Sequence, residues 1–253
     1  MKIYLAIFCS LICLFGYSQR TYTDTFHQAL DLLQKRDSLE AQVLLLRCVD
    51  VEKKNDSITY SENAACWELY TIFYAQKKYR EALNYLNYPV GKVKKFRTGC
   101  SGGFGDFGKL QFAYKQSLCY YNLNNKDTAV SILLPIIYSV GGMSDFSSFN
   151  SISNFFVSTL YELYGRCETR QLFDNAIQTI AYKQNIDEKI LAPKFTRVEI
   201  DYSFYFLNCK VNLNNGTAYL FTKDKTIPPF LDKERLWESF LKNPAYKLLT
   251  VEY

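Results

Sequence analysis

The feature that most restricts how this chain folds is a triple of side chains recurring at fixed spacing. Leu32, Ala41 and Leu45 match Phe73, Ala82 and Leu86, and both match Tyr120, Ala129 and Leu133. In each, a large residue stands nine before an alanine and a leucine four after it. Twelve residues before those alanines stand Ala29, Tyr70 and Ser117, two of them small. Two antiparallel helices approach closely only where their crossing carries a small side chain and large neighbours fill the space beside it. Apolar residues recur at three and four around these triples: Phe26, Ala29, Leu30 and Leu33 form one face, and Leu39, Val43, Leu46 and Val49 begin another. The pattern predicts helix pairs at roughly 22–35 with 38–54, 61–76 with 78–88, 109–123 with 126–139, and 151–165 with 168–183. Asp37-Ser38, Asn124-Asn125 and Gly165 supply the breaks.

On these residues the chain resembles the tetratricopeptide repeat. The best unit is Ala65–Leu86, with Trp67, Leu69, Phe73, the turn Lys77-Lys78-Tyr79 and Glu81-Ala82-Leu83. Gln111–Leu134 is a second, through Ala113, Tyr120, Leu123, Asp127 and Ala129; residues 25–48 are a weaker one, and 151–183 is degenerate. The alanines lie 41 and 47 residues apart, against a family period of about 34, and the family's closing proline is missing. Inserted loops therefore separate the units. The resemblance covers about residues 22–140. It implies a mainly α, short, irregular solenoid of antiparallel helix pairs over residues 19–190.

Beyond Pro193 the period changes to two. Val198, Ile200, Tyr202, Phe204 and Phe206 alternate with Arg197, Glu199, Asp201, Ser203 and Tyr205, as in a half-buried strand. Cys209, Val211 and Leu213 continue to Asn214-Asn215-Gly216, which predicts a hairpin turn before Thr217–Thr222. Asp232 reads as the N-cap of a helix over Lys233–Leu241, halted at Asn243-Pro244. Residues 191–253 are thus expected to form a small C-terminal β-hairpin plus helix, docked on the last helices because an isolated hairpin is marginal in water.

At the other end, Lys2 precedes a thirteen-residue apolar run, Ile3–Phe15, broken only by Ser10. Gly16-Tyr17-Ser18 puts small residues at −3 and −1 of a cut before Gln19, the layout of a secretory signal peptide over 1–18. It resembles the Ser-Gln cleavage style common in the Bacteroidetes. The expectation is an exported protein, periplasmic or extracellular, with no transmembrane segment after signal cleavage. The net charge of +5 is mild and its cations are scattered, apart from Lys92, Lys94, Lys95 and Arg97, so no nucleic-acid partner is expected.

Candidate chemistry is sparse. The chain has one histidine, His27, and no C-x-x-C, which argues against a metal site. Gly103, Gly105 and Gly108 spell G-x-G-x-x-G, but no strand precedes them and Leu110 stands where a phosphate loop needs Ser or Thr. The stretch 98–110 reads instead as a flexible loop between repeats, and its Phe104 and Phe107 next to the Lys92–Arg97 cations offer a docking place. G-x-S-x-G is absent, and Glu234 and Glu238 share a helix face as many solvated acids do. No catalytic residue and no cofactor is assigned. Cys48 and Cys66 fall on helices expected to be neighbours, which makes them the first candidate disulfide; buried thiols are the alternative.

The 42 Tyr, Phe and Trp residues exceed what the repeat core and the strand face need. Clusters such as Tyr70, Phe73 and Tyr74 place some rings toward a groove, where tyrosine offers large area at low entropy cost. The expected function is a non-catalytic scaffold holding an unidentified protein or peptide on Tyr70, Tyr74 and the 91–109 segment. The alternative is recognition of a cell-envelope glycan by exposed aromatic residues.

Overall fold

The computed structural model describes residues 22–54, 64–87, 102–138, 147–187, 195–221 and 232–250. The expected signal peptide and the cations Lys92, Lys94, Lys95 and Arg97 lie outside these residues. The chain is mainly helical, with one small antiparallel sheet near its C-terminal end, and falls into two compact units, Met1–Arg97 and Thr98–Tyr253.

In the first unit, helix α1 (22–34) turns into α2 (Ser38–Lys54), and α3 (Ala64–Ala75) turns into α4 (Tyr79–Asn87). Ala41, Ala82 and their equivalent in the second unit, Ala129, are all 0% exposed, as the crossing argument requires. The turns are copies of one another. Arg36, Lys77 and Asn124 all take positive φ (64°, 60° and 60°). Each donates its N–H to the carbonyl three residues back, and the next residue donates to the carbonyl five back, at 2.9–3.0 Å. That doubled closure satisfies the last carbonyls of the first helix and aims the second one back along it. The crossing also fixes how α2 is rotated. The expected face of Leu39, Val43, Leu46 and Val49 is not the buried one: Ala41, Leu45, Cys48 and Val49 are buried, and Leu39 and Val43 are exposed.

The second unit repeats the pairing with α5 (Gly102–Asn122) and α6 (Lys126–Leu133), then α7 (Ser147–Tyr164) and α8 (Arg166–Ile177). The last pair keeps the same spacing with different residues. Leu160, Thr169 and Phe173 stand nine and four apart and are buried, with Thr169 in the alanine's place. Its hydroxyl donates to the Gly165 and Leu160 carbonyls at 2.7 and 3.3 Å, so this small polar group enters the crossing satisfied. Gly165, at φ 79°, makes the break that the other pairs make with Arg36, Lys77 and Asn124.

Three expectations are corrected in this unit. The segment 98–110 is not a loop throughout, because α5 begins at Gly102. The helix expected over 168–183 ends at Ile177, and β1 (Ala181–Asp187) follows. Ile177 and Ile180 mimic a helical repeat, but Tyr182 pairs across to Tyr202 and gives β2 (Phe195–Phe206) a second neighbour. The sheet therefore has three strands in the order β1-β2-β3. Its second turn is not at Asn214-Gly216. It lies at Leu207-Asn208, both at positive φ (49° and 59°), and β3 (Cys209–Phe221) runs through the Asn-Asn-Gly stretch. This register sets Phe204 opposite Val211 and Phe206 opposite Cys209, while a shift between Tyr202 and Ser203 leaves Leu213 as an extra residue.

Helix α9 (Lys233–Lys242) starts as expected, with the Asp232 carboxylate accepting from the Glu234 and Arg235 N–H groups. It stops at Asn243-Pro244 as expected, and a further short helix, α10 (Pro244–Thr250), follows the stop. The second unit closes on aromatic rings. Tyr138, in the turn after α6, lies 5.5–6.3 Å from Phe156, Phe173, Phe204 and Phe240, one ring each from α7, α8, β2 and α9. Asn243 ties this core shut. Its side-chain amide donates to the Ile137 carbonyl at 3.0 Å, and its oxygen accepts from the Ala245 and Tyr246 N–H groups.

Replacing Asn243 with Ala removes a helix cap and strands a buried carbonyl, and should lower stability by about 2–4 kcal/mol. The Tyr138 hydroxyl is buried without a partner, so Tyr138→Phe should be neutral or stabilising by about 1 kcal/mol. Urea denaturation of both variants checks the pair; a Tyr138→Phe loss as large as that of Asn243→Ala would contradict this account.

Candidate binding faces

The crossing residue numbers the first helix of every pair. Positions fifteen, eleven and eight before it are Phe26, Leu30 and Leu33 in α1; Trp67, Thr71 and Tyr74 in α3; Tyr114, Leu118 and Tyr121 in α5; and Asn154, Ser158 and Tyr161 in α7. Steps of four and three keep them on one face. None of the twelve is buried, although the residues flanking them in sequence include the core of each unit. Three successive helices thus present a largely apolar, mostly aromatic stripe away from their own crossing.

In the first unit a chain of ring contacts runs along α3 to the start of α4, with Trp67 and Tyr74 on this face. Trp67 is 39% exposed, and centroid distances of 6.3, 5.7 and 5.4 Å lead from it through Tyr70 and Tyr74 to Tyr79. Thr71 donates its hydroxyl to the Trp67 carbonyl at 3.1 Å. Tyr70 links the two but does not belong to the open surface: at 4% exposure it is part of the core. It occupies the position where α1 and α5 carry Ala29 and Ser117, so the same geometry that makes those residues buried takes this ring inward. Tyr74 is half-buried and stays on the face. Sequence reasoning missed Trp67 as a surface group, because tryptophan at a repeat position reads as core.

In the second unit Phe155 of α7 packs edge-on against both Tyr114 and Tyr121, each at 5.4 Å. The Tyr121 hydroxyl donates to the Glu162 carboxylate at 3.0 Å, and Lys126 reaches the same carboxylate at 2.9 Å while sitting 5.5 Å from the Tyr121 ring. Lys126 first, and the Tyr121 hydroxyl second, hold the Glu162 carboxyl below its usual range. The hydrogen bond to Glu162, followed by burial, pushes the Tyr121 phenol up, against the opposing charge of Lys126. Burial alone raises Tyr114.

Phe104 and Phe107 lie in the first turns of α5, and their side chains fall outside the described residues. Cys48 and Cys66 are buried thiols on the packed helices α2 and α3. Among the described residues no group of three or more His, Cys, Asp or Glu could hold a metal ion, and no helix is long and apolar enough to cross a membrane. No family model, curated protein or solved structure matches the chain.

Because Glu162 is held ionised by Lys126, its contribution to stability is present above the usual glutamate pKa and is lost as pH falls through the lowered folded value. An NMR titration should find the Glu162 midpoint below that of an ordinary glutamate, and Lys126→Met should move it upward. An unmoved midpoint would remove Lys126 as the cause.

Proposed function

We propose that the protein is an exported, non-catalytic scaffold that holds a protein or peptide partner on the aromatic faces of its first helices. The observation that carries this reading is the recurrence of unburied aromatic or large apolar side chains at the same three face positions in α1, α3 and α5. On α5 part of that face is taken up by Phe155 of the next pair, whereas on α3 Trp67 keeps 39% of its surface open to a partner. Tryptophan and tyrosine are the residues that anchor partners most strongly, since they remove large area from water with few rotors to freeze. The resemblance to tetratricopeptide arrays, which mostly bind proteins, favours the same reading. The layout of residues 1–18 supports export.

The face on α3 is neutral, so its partner is expected to bring apolar side chains rather than a charged tail. Trp67→Ala and Tyr74→Ala should together weaken partner binding at least about 30-fold, the effect of a single anchor residue. Capture from the envelope fraction of the producing organism, by wild-type and doubly substituted protein of equal helicity, is the measurement. Equal capture by both, or none by either, would count against the scaffold. Retention of the wild type on a polysaccharide gel, lost in the double variant, would instead assign the face to a glycan.

A further inference from the structure

A second site lies far from these faces in the chain, where three elements of the second unit meet. A cleft of about 510 Å³ opens between the end of α8, the β1–β2 surface and α9. That size suits a small ligand. Ile177 and Ile180 supply its aliphatic wall, Tyr182 and Tyr202 its floor, and Trp237 its opposite side. Tyr182 and Tyr202 are cross-strand partners, with rings 5.6 Å apart and inclined at 73°. The two rings meet edge to face at this corner, so the buried Tyr202 braces Tyr182, whose ring face carries negative π-density.

The charges around the cleft have the opposite balance to the chain as a whole. The protein carries +5, yet among the described residues the charged ones lining the cleft are Lys233, Glu234 and Glu238, a net −1. Glu234, Trp237 and Glu238 lie within five residues of α9, on the turn that faces the cleft. Asp232 adds a further carboxylate at the helix start, and its charge, after burial, helps to push the Tyr182 phenol up. Tyr202 is 1% exposed, so the floor is rigidly set in the core. An aromatic corner closed by an indole and rimmed by carboxylates attracts one chemical class above others. An organic cation gains from the ring quadrupoles within about 6 Å and from the carboxylates together, whereas a neutral ligand gains from neither charge effect.

We propose that this cleft binds an alkylated ammonium group, held by Tyr182 and Trp237 through cation–π contact and by Glu234 and Glu238 through charge, with the buried Tyr202 ring fixing Tyr182 from behind. The reading is independent of the scaffold function, since it uses none of the face residues. A choline-type head and a methylated lysine side chain share the chemistry, and both fit the mixed aromatic and acidic lining.

The test uses the full chain and its two tryptophans. The indole N–H signals of Trp67 and Trp237 are followed by NMR, assigned through Trp237→Phe, during titration with choline. Choline should move the Trp237 signal saturably and leave that of Trp67 in place. Its uncharged carbon isostere, 3,3-dimethylbutanol, should bind at least about tenfold more weakly. Glu234→Gln with Glu238→Gln, two exposed changes that leave the aromatic floor intact, should weaken choline and not the isostere. A short trimethyllysine peptide, run in parallel, identifies the source: tighter binding than choline assigns the ammonium to a protein side chain, and weaker binding assigns it to a choline-type head. Equal affinity for choline and the isostere, an unresponsive Trp237 signal, or insensitivity to the glutamate changes would overturn the proposal.

Discussion

Everything else in both units depends on how little room is left where paired helices cross. Ala41, Ala82, Ala129 and Thr169 sit at that point with no exposed surface, and any larger group there would push the helices apart. Close approach then settles the remaining geometry. It determines which side of α2 is buried, brings the residue four further on into the core, and leaves the opposite side of the first helix without a partner in the pair. The unburied aromatic stripe is a consequence of this packing rule, in that the first helix has more apolar surface than one crossing can cover.

The aromatic residues divide into three physical situations. Rings such as Phe156, Phe173 and Phe204 gather around Tyr138 within a core that also holds Leu133, Ile137, Ile152 and Leu160. Others, including Trp67, Tyr74, Tyr114 and Tyr121, line faces that remain reachable by solvent. A third set, Tyr182, Tyr202 and Trp237, shapes a concave site beside acidic groups. Ring contacts of 5–6 Å recur in all three, so the type of contact does not separate core from surface. What separates them is where the helix crossing and the strand register point each side chain.

The crossing triples were legible in the sequence because alanine and its large neighbours keep a fixed count through the turn. The helix pairs and the strand over Val198–Phe206 followed from that count and from simple alternation. The fourth pair read as degenerate because threonine replaces alanine and the positive φ falls one residue later, at Gly165. Strand β1 was hidden by Ile177 and Ile180, whose spacing of three suits a helix. The turn at Leu207-Asn208 carries no glycine, whereas Asn214-Asn215-Gly216 shows the usual signal and is spent inside a strand. Tyr70 was misjudged because its neighbour Tyr74, one turn away, does reach the face. The cleft was not legible at all: its walls come from residues 177 to 238, and only the three-stranded register brings them together.

The Asn243 clamp has a consequence for the order in which the chain acquires structure. In the first unit, side-chain hydrogen bonds across elements span 26 and 34 residues, from Cys48 to the Tyr22 carbonyl and from Gln76 to Gln42. In the second, Asn243 reaches back 106 residues to Ile137, and Tyr161 bonds the Leu248 carbonyl 87 residues ahead. Local contacts form early and cost little loop entropy, while distant ones wait until both ends exist. During synthesis the N-terminal pairs can therefore assemble as soon as they emerge. The C-terminal unit cannot cover its aromatic rings until Phe240 and Asn243 have been made, and that interval is when the unit is most exposed to misassembly.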